Sequence, residues 1–269
     1  MLCAALRLKR STKLQLTFSL LLLGSTSFAQ PEPIESLDIS STTTDIDGTN
    51  TLLKHYIFQV DSLSHTSGIA SHFARIYTAS MSNFAFQLER MDSGAQHFIK
   101  KFEISFISYF LGAAFDFEKN GHLPTQGVWN CYFSKPKTES WQLTLIGVNA
   151  HINGDIWKGL VNSFSEQEIR RYKKNLLSFQ RSISKVFQPF FDDLMMQSSY
   201  LRFMNGFTKG TARIYGEWLI YNWRLRQINL AILYYEDPER FRKRLEKIDR
   251  KRYRIDRIIL SKRKSIHNN

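Results

Sequence analysis

The stretch Trp141-Gln-Leu-Thr-Leu-Ile-Gly-Val-Asn-Ala-His-Ile-Asn-Gly-Asp-Ile-Trp157 decides how this chain is read. At 100° per residue, Leu143, Gly147, Ala150, Gly154 and Val161 fall along one line of a helix, with Ile146 and Trp157 beside it. Two glycines in such a stripe let a neighbouring helix approach closely. His151 and Asp155, four apart, lie on one flank; Asn149 and Asn153, also four apart, lie on the other. Polar groups on the shoulders of a closely packed helix need partners. The segment therefore belongs either to a hydrogen-bonded network that fixes helix register or to a ligand site.

On both sides of this helix, placed from Glu139 to Val161, the chain keeps helical spacing. Upstream, Ala95 to Phe117 carries Phe98, Phe102, Phe106, Tyr109, Phe110 and Ala113 on one face, and Lys119-Asn120-Gly121 ends it. Glu103 lies at the edge of that face. There it is either paired or raised in pKa, or it reaches out to solvent. Ile69 to Arg90 reads as one helix facing inward through Ile69, Phe73, Ile76, Tyr77, Ser80, Phe84 and Leu88. Thr51 to Ser64 docks through Tyr56, Ile57, Phe58 and Val60, with its secondary structure left open.

Downstream, Ser165 with Glu168 is a capping-box pattern opening a long helix toward Gln197. Its inward residues are Leu176, Phe179, Ile183, Val186, Phe187, Phe190 and Leu194, and Pro189 predicts a kink. Gly206 and Gly210 bracket a turn. Ala212 to Tyr235 repeats Ile214, Trp218, Tyr221, Leu225, Ile228 and Ile232, and sets Arg213 and Arg224 beside aromatics, placed to pair with the polar flanks of the central helix. Asp237-Pro238-Glu239 starts a last helix with Phe241, Leu245, Ile248, Ile255 and Ile259 in a stripe that Arg252 interrupts.

These elements predict an all-α fold: a single multi-helix bundle with a kinked long helix and a basic amphipathic C-terminal helix. Residues 51–235 form the helical domain and 236–269 the basic helix and tail. Of the 269 residues 43% are hydrophobic and 21 are Phe, enough to fill a sizeable core and to exclude global disorder.

Residues 1–29 have the layout of a secretory signal. Arg7, Lys9, Arg10 and Lys13 form its basic end, Leu14 to Leu23 its apolar run, and Ser27-Phe28-Ala29 a small-x-small cleavage site. The expectation is an exported protein, periplasmic or extracellular; the alternative is retention at the inner membrane by an uncleaved segment. Residues 30–50 read as a polar leader. Cleavage leaves Cys131 alone, with no partner for an internal disulfide.

The formal charge is +13, and Arg240 to Lys264 alone holds 13 basic and 3 acidic residues, a net +10. The tail thus supplies the excess over a near-neutral body. Its helix docks on the body with a solvated basic face, meets a protein partner, or lies on an anionic membrane. Nucleic acid is not the expected partner, because no fold motif supports it.

Gly147-Val-Asn-Ala-His-Ile-Asn-Gly-Asp-Ile156 resembles the signature Gly-x-Asn-Ala-His-Ile-Asn-x-Asp-Leu of an uncharacterised bacterial family, known as a domain of unknown function. Phe102 to Ala113 and Tyr172-Lys-Lys-Asn-Leu-Leu177 are similar as well, so the resemblance covers roughly Ser67 to Tyr235. It implies a helical domain and brings no activity with it.

Two functions remain open on the residues. In one, Asn149, His151, Asn153 and Asp155, with Glu103, Arg213 and Arg224, form a structural network or ligand-binding site in a domain of unknown activity. In the other, His151 and Asp155 supply two ligands to a divalent metal in a hydrolase, with His72, Glu103 or Asp192 completing the set. No HExxH or CxxC motif accompanies them.

Overall fold

In a computed structural model of the chain, residues 46–82, 84–121, 123–124, 127–197, 202 and 211–261 are described. The signal-like segment 1–29, most of the leader, and Gly206 and Gly210 lie outside them. The described residues form helices and no strand, the all-α bundle that the spacing predicts.

The first helix, α1 (Ile46–Ser64), begins inside the stretch expected to be leader and buries Thr49. The single helix expected over 69–90 is two, α2 (Ala70–Met81) and α3 (Phe84–Leu88). Serines end the first of them. Ser80 and Ser82 turn their hydroxyls back to the carbonyls of Tyr77 and Ala79, at 2.7 and 2.9 Å, in competition with the helical ladder.

Asp92 caps α4 (Ser93–Asn120) by accepting from the Ala95 N–H at 2.9 Å, and Gly121 closes it at φ 62°, a conformation glycine adopts at no steric cost. A four-residue helix, α5 (Asn130–Phe133), follows a turn at 127–129.

The expected central helix comes in three parts: α6 (Ser140–Ala150), a π-helical turn (His151–Asp155) and α7 (Ile156–Ser163). An i→i+5 turn takes an extra residue, so the 3.6-residue register slips across it. Beyond the turn the buried residues are Ile156, Trp157, Gly159 and Leu160, whereas Val161, placed on the stripe by 100° spacing, is half-buried.

The Ser165–Glu168 capping box opens α8 (Glu166–Gln197): the Ser165 N–H donates to Glu168 Oε2 at 2.9 Å. The next helix, α9 (Thr211–Glu236), buries Ile228 and Ile232 of the face its spacing predicts but leaves Tyr221 and Leu225 half-buried. Trp218 is 56% exposed, while Ile220, Arg224, Gln227, Ile228, Leu230 and Ala231 are buried. Wedged between α7, α8 and the π turn, α9 is covered on more than one side.

Asp237 caps α10 (Pro238–Ser261) through the Arg240 N–H. This helix docks on the body along Phe241, Ile248, Arg252 and Asp256, against α6, α9 and the π turn. The residue that interrupts the apolar stripe is therefore on its buried side.

The central segment lies at the middle of the bundle. Helix α6 packs on α2, α5 and α10, α7 on α4 and α9, and the π turn on α4, α9 and α10. Gly147 and Gly154 permit close approaches: a Cβ there would lie 2.9 Å from the Phe73 ring and 2.6 Å from Val128 Cγ1, respectively. No helix among the described residues is long and apolar enough to cross a membrane.

Candidate functional site

The π turn puts His151 and Asp155 fully inside the protein. Asp155 is 0% exposed. Its Oδ2 accepts from Trp129 Nε1 at 3.0 Å and lies 3.2 Å from His151 Nδ1. An oxygen that takes an indole N–H takes the imidazole Nδ1–H in the same way, so the histidine proton belongs on Nδ1. The unprotonated nitrogen is then Nε2.

The imidazole ring is held by other rings. It stacks on Phe106 with centroids 3.5 Å apart and meets Phe73 and Tyr77 edge-on at 5.1 and 5.5 Å. This apolar cage pushes the His151 pKa below its usual value by desolvation, against the opposing pull of Asp155. The ring is neutral near pH 7, and its buried Nε2 has no hydrogen-bond partner among the described residues.

His151 lines a cavity of about 40 Å³ together with Tyr77, Glu103, Gln180 and Arg224 among apolar walls of Phe73, Phe106 and Ile152. That is room for a few water-sized groups. Glu103 is 2% exposed, so of its two sequence readings the buried one holds. Tyr77 donates its hydroxyl to Glu103 Oε2 at 2.8 Å. Burial lifts the Glu103 carboxyl to about 7, more than the tyrosine bond and the Arg224 charge lower it. Arg224 donates to the Gln180 carbonyl at 2.6 Å, and burial lowers its pKa to about 10. The cavity thus joins a neutral imidazole, a carboxyl poised near neutrality and a buried guanidinium. Such perturbed groups gather where proton transfer or polar-ligand binding is carried out.

The other flank of the central segment faces the C-terminal helix. Asn149 Nδ2 donates to the Arg252 carbonyl at 3.0 Å and to Asp256 Oδ1 at 2.7 Å. Asn153 Nδ2 donates to Asn149 Oδ1 at 2.9 Å, and Gln227 Nε2 donates to the Asn153 carbonyl at 2.8 Å. Arg252 donates to the Val128 carbonyl at 3.1 Å and lies 3.7 Å from Asp256. Burial raises the Asp256 carboxyl to about 6 despite the Asn149 bond and the Arg252 charge. Lys158 brings a further cation to within 3.9 Å of Asp155 Oδ1, and desolvation lowers its pKa.

Of the residues expected at a site, the structure brings His151, Asp155, Glu103 and Arg224 to one region and Asn149 and Asn153 to another. The Arg213 side chain lies outside the described residues. His72, proposed as a metal ligand, is instead engaged by Ser140 Oγ, 2.8 Å from its Nδ1. Asp192 is exposed. Among the described residues no three His, Cys, Asp or Glu side chains come together as a metal site requires. Cys131 is half-buried, and burial together with Asp256 pushes its thiol to about 11, away from nucleophile chemistry.

The sequence reading missed Trp129, Tyr77, Phe106, Gln227 and Asp256 as partners. Each comes from a part of the chain remote from the central segment.

A family model matches residues 57–262, from the middle of α1 to the end of α10. The chain belongs to the family of unknown function DUF5995. The match is longer than the resemblance over 67–235, and it takes in the basic C-terminal helix as part of the family domain. No curated protein and no solved structure matches the chain.

Proposed function

We propose that this is an exported helical domain whose core binds a small polar molecule at His151 Nε2, with Glu103 as an acid–base partner. The supporting observation is the orientation of the imidazole. Asp155 and Trp129 hold its Nδ1 side, four aromatic rings fix its plane, and its free nitrogen belongs to a residue of the cavity wall. A neutral, immobilised imidazole beside a carboxyl near its midpoint is suited to accept a hydrogen bond from a hydroxyl or N–H group, or to take its proton.

Asn149 and Asn153 serve a different purpose in this reading. With Gln227, Arg252 and Asp256 they fix the register of α10 against the π turn, as hydrogen-bonded polar groups do in a core. The π-helical turn supports the division of labour, because such turns concentrate at functional sites and this one aims the two flanks at different partners.

Histidine-labelled protein followed by nitrogen NMR tests the site. A panel of small alcohols, amides and carboxylates is titrated, and a saturable shift of the His151 Nε2 resonance, weakened in Glu103→Gln, is expected. No saturation with any member would count against the site. Stoichiometric metal in chelator-free protein, lost in His151→Ala, would replace it with the metal-dependent hydrolase reading. Export is tested separately: fractionated cells should yield a chain beginning at Gln30 outside the inner membrane. A chain beginning at Met1 in the membrane fraction would instead support the uncleaved anchor.

A further inference from the structure

Among the described residues the outward side of the C-terminal helix is exposed. Phe241, Ile248, Arg252 and Asp256 mark the docked side. Arg250, Tyr253, Arg254, Arg257, Ile258 and Ser261 recur at spacings of 3, 1, 3, 1 and 3 and fall on the opposite side at 100° per residue. They line a broad, open depression on the surface. Tyr253 is 48% exposed and Ile258 53% exposed, between three exposed arginines.

Lys243 meets Glu239 at 2.6 Å, on the same helix one turn away. Among the described residues Arg250, Arg254 and Arg257 have no carboxylate within ion-pair distance, so their charges are not neutralised internally. Three unpaired guanidinium groups around a tyrosine and an isoleucine are the complement of an anionic lipid surface. Arginine stems lie along the apolar boundary with their heads at the phosphates, and tyrosine suits a site that is half wet. Base-reading nucleic-acid modules have no counterpart in this bundle.

We propose that the Arg250–Tyr253–Arg254–Arg257–Ile258 face of the C-terminal helix docks the domain onto anionic phospholipid surfaces, while the opposite face stays packed on the bundle. The helix lies along the lipid and does not cross it. Each basic residue near such a surface contributes about fivefold in partitioning, so the three arginines together contribute about a hundredfold.

The whole chain is sedimented with phosphatidylcholine vesicles, with and without roughly one-third phosphatidylglycerol. Binding is expected with the anionic vesicles alone, and it should fall at least tenfold as salt rises from about 0.1 to about 0.5 M. Arg250→Ala, Arg254→Ala and Arg257→Ala combined should lower partitioning about a hundredfold, and Tyr253→Ser with Ile258→Ser about tenfold. All five positions are exposed, so thermal melts of the variants should match that of the native chain. Equal binding to neutral and anionic vesicles, or native-like binding by the triple variant, would overturn the proposal. So would a duplex oligonucleotide that is bound while vesicles are not.

Discussion

Replacing Asn149 with alanine asks whether the central segment holds the C-terminal helix in place. The carboxamide donates to Asp256 Oδ1 and the Arg252 carbonyl and accepts from Asn153 Nδ2, all away from solvent. The Arg252 carbonyl sits within a helix and keeps its helical partner, so its loss costs little. The Asp256 carboxylate and the Asn153 amide each lose a buried partner, at about 1–3 kcal/mol apiece, with the charged group toward the upper end. The sum is about 4 kcal/mol, which lowers the melting temperature by roughly 10 °C in a domain of this size.

The loss should also depend on pH. Asp256 is raised to about 6 in the folded protein, so folding favours its protonated form. Its contribution is fully present below the unfolded carboxylate pKa and is lost as pH rises through about 6. The Asn149 bond is one of the groups holding the carboxylate down, so its removal should hurt more at pH 8 than at pH 5. Urea unfolding at both pH values, with amide exchange along α10, reads both effects. A loss under about 1 kcal/mol, or unchanged exchange protection in α10, would refute the idea that this carboxamide anchors the helix.

Other perturbations bear on the remaining parts. Glu103 is buried with a carboxyl raised to about 7, so its contribution to stability falls as pH rises from the unfolded carboxylate range toward 7. Glutamine does not titrate, and Glu103→Gln should gain on the native chain by about 3 kcal/mol between pH 4 and pH 8, as read by denaturant melts at each pH. A difference that stays constant over that range would place Glu103 in contact with solvent. Gly154→Ala sets a methyl group 2.6 Å from Val128 Cγ1 and should cost about 1–3 kcal/mol. Val128→Ala in the same chain should recover most of it; no recovery would put the strain elsewhere. Trp129→Phe removes one of the two donors to Asp155 Oδ2. The His151 pKa, followed by NMR, should then rise, because Oδ2 no longer shares its charge with the indole and holds the imidazolium more strongly.

Helix content was legible in the sequence because it is a local property. The Ser165–Glu168 box, the Asp237-Pro238 start and the Gly121 stop act within a turn or two of themselves, and each does in the structure what its spacing predicts. Buried polar side chains on the central segment were legible for a related reason: small apolar residues repeating at helical spacing leave their polar neighbours little room to reach water. The break after Met81 was not legible, since it turns on whether two serines bond to the chain or to solvent.

The sequence by itself determined that the chain is helical, that its charge is concentrated in the last helix, and that Asn149, His151, Asn153 and Asp155 need partners. Tertiary structure alone decided which partners. The π turn at His151–Asp155 leaves no mark in a 3.6-residue pattern, yet it sets the register of everything after it. Arg252 reads as an interruption of an apolar stripe, and it and Asp256 are buried because Asn149 and the Val128 carbonyl come to meet them from more than a hundred residues away. A side chain's spacing fixes the direction it points along its own helix; what waits there is supplied by segments whose position depends on the packing of the whole bundle.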